Sequence, residues 1–200
     1  MNSVNKGIEI VYKAYDTKLF KLKEKELARA PSLCVAGAIG EEFFKASLAG
    51  ADAYVIAYDV YKNGIRGSIR GFACLKFDTF PDYVYLDLIC RGGSTPMNYR
   101  GKPSAAPGRA ILDNVKKIAR ATKRKGVVLS AIEKVIDYYK KFGFRITTDL
   151  TCNRRTTLNR NRRRWTFTKD FYKEANLRAI ESYNKKLKAE EHGTIMLWCA

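Results

Sequence analysis

The order of patterns over residues 83–144 constrains the fold more than any other feature of this sequence. An apolar run, YVYLDLICR, precedes a long loop rich in Gly, Pro and Ser, and the amphipathic run RAILDNVKKIARATKRK follows. The short apolar run GVVLSA and the periodic run IEKVIDYYKKFGF complete the stretch. These patterns predict strand, loop, helix, strand and helix. Strand–helix–strand order predicts two parallel strands joined by a right-handed crossover.

The junction between the loop and the first of these helices has the composition of an anion site. Pro107 suits a first helical turn, and Ser104, Ala105, Ala106 and Gly108 leave room for close approach to the backbone. Backbone N–H groups at a helix start have no intrahelical partner, and the helix dipole favours a negative charge there. Cationic side chains also surround the junction: Arg100, Lys102 and Arg109. The alternative interpretation is an ordinary strand-to-helix connection with surface lysines.

Strand patterns predominate before this stretch. Alternating or β-branched runs predict strands at residues 7–15, 54–61 and 69–77. Helices are predicted from Asp16 or Thr17 to Pro31 and over residues 40–48. Tight turns after the second and third strands predict an antiparallel meander that leads into the parallel pair.

Several of these segments resemble motifs of the GNAT superfamily of N-acetyltransferases. YLDLICR resembles the family's fourth strand, and YYKKFGF resembles its Tyr-x-x-x-Gly-Phe helix ending. PSAAPGRAIL lies where the family carries its pyrophosphate signature, Gln/Arg-x-x-Gly-x-Gly/Ala, followed two residues later by an apolar pair. This sequence departs from the family in having Pro103 at the Gln/Arg position, Ala106 at the first Gly and Ile132 where an Asn is frequent.

The resemblance implies an α/β fold with a mixed sheet, in which antiparallel N-terminal strands precede two splayed parallel central strands. It implies one domain over residues 1–200, with a basic Arg-rich insertion and a helix at 150–192 before a final strand at 194–199. The implied reaction is transfer of an acetyl group from acetyl-CoA to a primary amine by direct attack in a ternary complex.

The resemblance also implies where acetyl-CoA would bind. Main-chain N–H groups at the end of the fourth strand would bind the thioester oxygen, the loop–helix junction would bind the pyrophosphate, and Ser130 would contact the pantetheine. The implied cofactor-binding residues are Leu88, Ile89, Cys90, Lys102, Ser104, Ala105, Ala106, Gly108, Arg109 and Ser130.

Two residues are the leading candidates for proton transfer, and Glu133 and Glu41 are weaker choices for the base. Tyr139 matches the family's tyrosine and is implied to protonate the leaving thiolate; Tyr138 is the adjacent candidate, about 100° further round the helix. Asp87 interrupts an apolar strand on the face opposite Leu86 and Leu88, and a charge there needs a partner or a role, which makes it the candidate base. The alternatives are a core tyrosine and a carboxylate paired with a nearby Arg or Lys.

The charge of the chain predicts attraction to polyanions. Its formal net charge is +18 and its pI about 9.8, which suits CoA phosphates, nucleic acid or anionic membranes. Residues 154–164 include six arginines, which form either a solvated surface or a phosphate-backbone contact. The rival function is therefore a nucleic-acid-binding module on an inactive GNAT-like scaffold. A third hypothesis is a small-molecule acetyltransferase whose insertion is a lid or an oligomer contact.

The cysteine and histidine content bears on whether the protein contains disulfides or a metal centre. The chain has five cysteines, an odd number with no CxxC spacing, and one histidine. We therefore expect reduced core thiols in a cytoplasmic protein and no metal centre. The N-terminus has no apolar signal-peptide region and no apolar run could span a bilayer, so we expect no membrane partner.

Overall fold

Seven strands form one mixed sheet in the order β1-β2-β3-β4-β5-β7-β6. The computed structural model describes residues 5–34, 39–61, 64–92, 107–147, 150, 152 and 193–200. The strands are β1 (Asn5–Tyr12), β2 (Ala53–Val60), β3 (Arg66–Lys76), β4 (Tyr83–Cys90), β5 (Gly126–Ala131), β6 (Arg145–Ile146) and β7 (Thr194–Cys199). The helices are α1 (Thr17–Ala28), α2 (Glu41–Ala49), α3 (Gly108–Ala121) and α4 (Ile136–Lys140).

The pairing of the strands confirms the predicted fold class. Strands β1 to β4 are antiparallel neighbours, and β4 and β5 are parallel and connected through α3. Strand β7 lies antiparallel to β5 and separates it from β6. The final strand thus enters the sheet between two strands that precede it in sequence.

A β-bulge at Asp87 changes which side chains of β4 share a face. Leu86 is paired with Leu75 and Leu88 with Cys74, so Asp87 is an extra residue in β4. Leu86 therefore packs with α3, whereas Leu88 packs on the opposite face with α1 and α2. The sequence-based expectation that Leu86 and Leu88 share a face is wrong, because strict alternation ends at a bulge.

Helix α3 packs its apolar stripe on one face of the sheet. Its buried positions are Ile111, Leu112, Val115, Ile118 and Ala119. Their 3, 4 spacing is that of an amphipathic helix, as the sequence predicts. Burying each large aliphatic side chain contributes about 1.5–3 kcal/mol, so this stripe fixes α3 over the central strands.

Helices α1 and α2 cover the other face. Asp16 caps α1, accepting a hydrogen bond of 2.8 Å from the Leu19 N–H, in agreement with the predicted cap. The periodic run after β5 forms a 3-10 turn at Glu133–Val135 and then only the short helix α4. The helix ends before Gly143, which has φ 79°, a conformation that glycine adopts readily.

The structure corrects the expectation of reduced thiols. Cys34 is bonded to Cys90 and Cys152 to Cys199, and Cys74 alone is free and buried. Disulfides persist mainly in oxidising environments, so cysteine content no longer supports the expected cytoplasmic location. Within the described ranges, no helix has the length and apolar character that a membrane crossing requires.

Candidate active site

The parallel strands β4 and β5 part after their first four residues. Their pairing ends at Leu86 and Leu129. Beyond this point β4 continues with β3 alone and β5 continues with β7 alone. The parting creates a gap between the carboxyl ends of two adjacent parallel strands, where main-chain groups of β4 can meet a ligand.

Helix α3 begins beside the end of β4, the strand on one side of this gap. Pro107 Cγ lies 3.0 Å from the position that a Cβ at Gly71 would take, and the carbonyl oxygen of Cys90 lies 2.7 Å from it. The start of α3 is thus packed against the end of β4. Pro107 is the N-cap, and no side chain of the described residues makes a capping hydrogen bond to α3. An anion at this helix start would meet backbone donors and the positive end of the helix dipole.

Two side chains approach the first residue of α3. A Cβ at Gly108 would collide with the Tyr138 hydroxyl and would lie 3.4 Å from the Arg91 Cβ. The Arg91 guanidinium lies over the Tyr138 ring, with Cζ 4.8 Å from the ring centroid. Burial raises the pKa of Tyr138, against the opposing effect of Arg91. The Gly108 position thus accommodates the tip of a tyrosine.

Tyr139 lies in the core beneath α3. Its side chain is 6% exposed and its ring packs against Tyr138 and Phe144, at centroid distances of 5.5 and 5.7 Å. Burial, with a smaller contribution from Tyr138, raises the pKa of Tyr139 above its usual value. The phenol is therefore protonated at neutral pH and can act only as a proton donor there.

Asp87 lies at the point where β4 and β5 part. Its side chain is 5% exposed and its Oδ2 lies 2.8 Å from Lys76 Nζ. This is an ion pair, although Oδ2 accepts no hydrogen bond of acceptable geometry from the described residues. Burial and the charge of Asp87 raise the pKa of the Cys74 thiol, so Cys74 is inert at neutral pH. Lys76 is therefore the nearby basic residue that the alternative interpretation of Asp87, a paired carboxylate, expects.

The predicted cofactor-binding residues divide into four groups. Leu88, Ile89 and Cys90 lie on β4 beyond the last β4–β5 pair, and Gly108 begins α3. Ser130 lies on β5, where its hydroxyl is so close to Gly193 that a Cβ there would collide with it. The Arg109 side chain is 81% exposed, and its Nε lies 3.9 Å from Asp113 Oδ2. Lys102, Ser104, Ala105 and Ala106 lie outside the described residues.

Sequence reasoning missed two residues of this region. Lys76 is the partner of Asp87, and Arg91 contacts Tyr138 at the start of α3. Arg91 could have been noted, because it directly follows the last residue of a strand that leads to a predicted phosphate loop. Nothing in the sequence marks Lys76, since its backbone partner on β4 is Tyr85 and its contact with Asp87 depends on the bulge.

The chemistry available at the gap comes from the main chain and from a few titratable side chains. Across the described ranges, no three His, Cys, Asp or Glu residues are grouped as metal ligands. Main-chain groups of β4 and the buried carboxylate of Asp87 lie where the strands part, and the protonated phenol of Tyr139 lies in the core cluster beneath α3. Such a set can hold a thioester oxygen, accept a proton and donate one.

Comparisons with known proteins concern the fold. No protein-family model matches the sequence, and no curated protein matches it. Solved structures similar to this chain include the catalytic domain of the Tetrahymena GCN5 histone acetyltransferase in complex with coenzyme A, at 14% identity and TM-score 0.49, covering 97% of this chain and 92% of that chain. An acetyltransferase from Streptococcus agalactiae is 16% identical with TM-score 0.47, covering 97% and 99% of the two chains. An acyl-CoA N-acyltransferase from Pseudomonas aeruginosa is 18% identical with TM-score 0.45, covering 75% and 92%.

Proposed function

We propose that this protein is an acetyl-CoA-dependent N-acetyltransferase of the GNAT type that transfers acetyl to a primary amine in a ternary complex. The observation that carries the proposal is the gap between β4 and β5 beyond Leu86 and Leu129, with the start of α3 beside the end of β4. YLDLICR falls on β4 and the residue after it, residues 107–112 of PSAAPGRAIL fall on the start of α3, and YYKKFGF falls on α4 and the turn after it. Residues 103–106 of PSAAPGRAIL lie outside the described residues. In this proposal the pantetheine enters the gap and the pyrophosphate lies against the first turn of α3.

The reaction makes three demands on the site. The attacking amine must lose its proton, because an ammonium is not a nucleophile. The thioester oxygen gains negative charge and needs fixed donors, which the main chain of β4 at Leu88, Ile89 and Cys90 can supply. The departing thiolate of coenzyme A needs a proton. No metal is required for any of these steps.

Asp87 and Tyr139 are proposed for the two proton transfers. Asp87 lies at the point of parting and would accept the proton of the amine, directly or through water. A phenol is protonated at neutral pH even at its usual pKa, and burial raises the pKa of Tyr139 further, so Tyr139 would donate to the thiolate as a neutral acid. The 6% exposure of Tyr139 requires the pantetheine thiol to reach its hydroxyl from within the gap.

A primary amine as acceptor and nucleic acid as a macromolecular partner stay predictions. The Arg-rich run at residues 154–164, on which nucleic-acid binding was predicted, lies outside the described residues, as does the helix predicted after it. The disulfide between Cys152 and Cys199 joins the two sides of this insertion. The described residues on the two sides of the undescribed part, Cys152 and Gly193, therefore both lie beside β7.

Calorimetric titration with acetyl-CoA tests the cofactor. We expect saturable binding in the micromolar range, and an absence of binding at high micromolar concentration would exclude the proposal. A panel of amines, scored by release of free thiol, then identifies the acceptor. The panel should include protein N-termini, lysine peptides, amino acids, polyamines and aminoglycosides.

A further inference from the structure

Arg91 and Tyr138 form a contact at the start of α3 that the proposed catalytic residues do not use. Arg91 directly follows the last residue of β4, and Tyr138 belongs to α4. The two side chains meet beside Gly108, where a Cβ would lie 3.3 Å from the Tyr138 Cζ and 3.4 Å from the Arg91 Cβ. Three separate elements therefore place a guanidinium at one end of α3.

The backbone around Arg91 is fixed on both sides. The preceding residue, Cys90, is bonded to Cys34. The following residue, Gly92, donates a hydrogen bond of 2.8 Å to the Leu33 carbonyl oxygen and has φ 63°. A side chain at Gly92 would collide with the Arg70 carbonyl oxygen, so glycine is required there. The point from which the Arg91 side chain extends is thus well defined.

Tyr138 fixes the other end of the arginine. Its ring packs against Tyr139 and Phe142, at centroid distances of 5.5 and 4.9 Å, so the ring has little freedom. It offers Arg91 a stacking surface and one acceptor. A guanidinium has five N–H donors, so one hydrogen bond to a phenol would leave most of them for another partner. Among the described residues, no carboxylate forms an ion pair with Arg91.

We propose that Arg91 binds the pyrophosphate of the coenzyme and that Tyr138 is the positioning residue that orients its guanidinium. This inference rests on the proposed function, and it adds a side-chain ligand from the end of β4 that lies outside the resembled signature. A planar guanidinium can donate two parallel hydrogen bonds to phosphate oxygens, which a lysine ammonium cannot reproduce. Stacking on Tyr138 reduces the side-chain freedom that binding would otherwise remove.

The test compares three ligands that share the pantetheine arm. Coenzyme A carries a pyrophosphate and a 3′-phosphate, dephospho-CoA carries only the pyrophosphate, and pantetheine carries neither. Binding to wild type, Arg91→Ala, Arg91→Lys and Tyr138→Phe is measured by calorimetry, with displacement titrations for the weaker ligands. Arg91→Ala should weaken coenzyme A and dephospho-CoA by the same factor, about tenfold to a hundredfold, and change pantetheine by less than about twofold.

Arg91→Lys and Tyr138→Phe test separately how the guanidinium binds and how Tyr138 orients it. Arg91→Lys keeps the charge and loses the planar fork, so its loss should lie between those of Arg91→Ala and wild type. Tyr138→Phe keeps the ring and loses the acceptor, so it should weaken both pyrophosphate ligands about threefold to tenfold. It should leave pantetheine unchanged, because the phenol contributes only through Arg91.

Arg120→Ala is the matched control. Like Arg91, Arg120 lies over an aromatic ring, with Cζ 4.9 Å from the Trp198 ring centroid. Arg120 belongs to α3, the helix that begins at Gly108. It lies near the opposite end of α3, about 18 Å from Gly108 at 1.5 Å per residue. Losing this arginine removes the same charge and a similar stacking contact, and it should change the affinity for coenzyme A by less than about twofold.

Different results overturn different statements. If wild type binds none of the three ligands, both the proposed function and the Arg91 assignment fail. If wild type binds coenzyme A and Arg91→Ala binds it equally well, only the Arg91 assignment fails. Equal losses for pantetheine and coenzyme A in Arg91→Ala, with an unchanged melting temperature, would show that Arg91 shapes the gap without binding pyrophosphate.

Discussion

The ion pair between Lys76 and Asp87 can be tested by a double-mutant cycle. The two charged atoms are 2.8 Å apart, and the side chains of Lys76 and Asp87 are 28% and 5% exposed. Breaking a buried pair costs about 3–5 kcal/mol, because the other charge stays buried, whereas exposed pairs contribute about 0–1 kcal/mol. One partner here is partly solvated. We therefore expect Lys76→Met to lower the free energy of unfolding by about 2 kcal/mol, roughly a 30-fold change in the folding equilibrium.

Urea unfolding at pH 7, followed by circular dichroism, measures the cycle. Asp87→Asn removes the carboxylate charge, so adding Lys76→Met to it should have a smaller effect than Lys76→Met alone. The coupling free energy should be about 1–2 kcal/mol. Additive effects, or a loss below about 0.5 kcal/mol in Lys76→Met, would refute the argument that burial makes this pair important.

Lys45→Met is the control for burial. Lys45 Nζ lies 2.6 Å from Glu41 Oε1, but the side chains of Lys45 and Glu41 are 69% and 78% exposed. This pair is shorter than the Lys76–Asp87 pair and lies in solvent, so its loss should not change the unfolding midpoint measurably. Equal effects of Lys45→Met and Lys76→Met would mean that the distance between charges, and not their burial, decides the outcome.

Three further predictions concern other parts of the chain. Burial alone would raise the pKa of Glu9, but the hydrogen bond from Arg66 and the charge of Lys23 lower it below its usual value of 4.5. The stability that Glu9 contributes is therefore present above that value and is lost as pH falls through the lowered pKa. Urea unfolding from pH 7 to pH 3 should show a smaller loss of unfolding free energy in Glu9→Gln than in wild type. The disulfides close loops of 56 and 47 residues, so replacing Cys34 or Cys152 by serine should each lower the free energy of unfolding by about 4 kcal/mol by the chain-entropy relation, and calorimetric melting with and without reductant checks both. Tyr139→Phe should lower turnover about tenfold or more while the affinity for acetyl-CoA changes little, and unchanged turnover would remove its proposed role.

The elements set by local pattern could be predicted from the sequence. The spacing of Ile111, Val115 and Ile118 predicted α3, and these residues are buried on one stripe as a 3.6-residue period requires. The apolar run of β5 and its parallel pairing with β4 followed from strand–helix–strand order. These features depend on contacts near in sequence or on general rules of connection, so a single chain reveals them.

The details of the candidate site could not be predicted, because they depend on contacts between distant segments. The bulge at Asp87 reverses the faces of β4, and only the pairing with β3 reveals it. Cys34 and Cys90 are 56 residues apart, and cysteine spacing alone does not determine pairing. Tyr138 and Arg91 meet because α4 and β4 flank the same end of α3. Composition and periodicity carry no information on which distant residues come into contact.

The gap between β4 and β5 is held open by contacts of β4 with β3 and with the segment after α1. Past Leu86 the strand β4 has no β5 partner, and an unpaired strand end would tend to close onto its neighbour to satisfy its backbone groups. Three features oppose closure: the bulge at Asp87, the disulfide from Cys90 to Cys34, and the hydrogen bond from Gly92 to Leu33. All three join the far half of β4 to β3 or to the segment after α1, so β4 is directed away from β5. Asp87 and Cys90 thus belong both to the features that keep the gap open and to the groups proposed to do chemistry in it, and losing the disulfide should affect acetyl-CoA binding as well as stability.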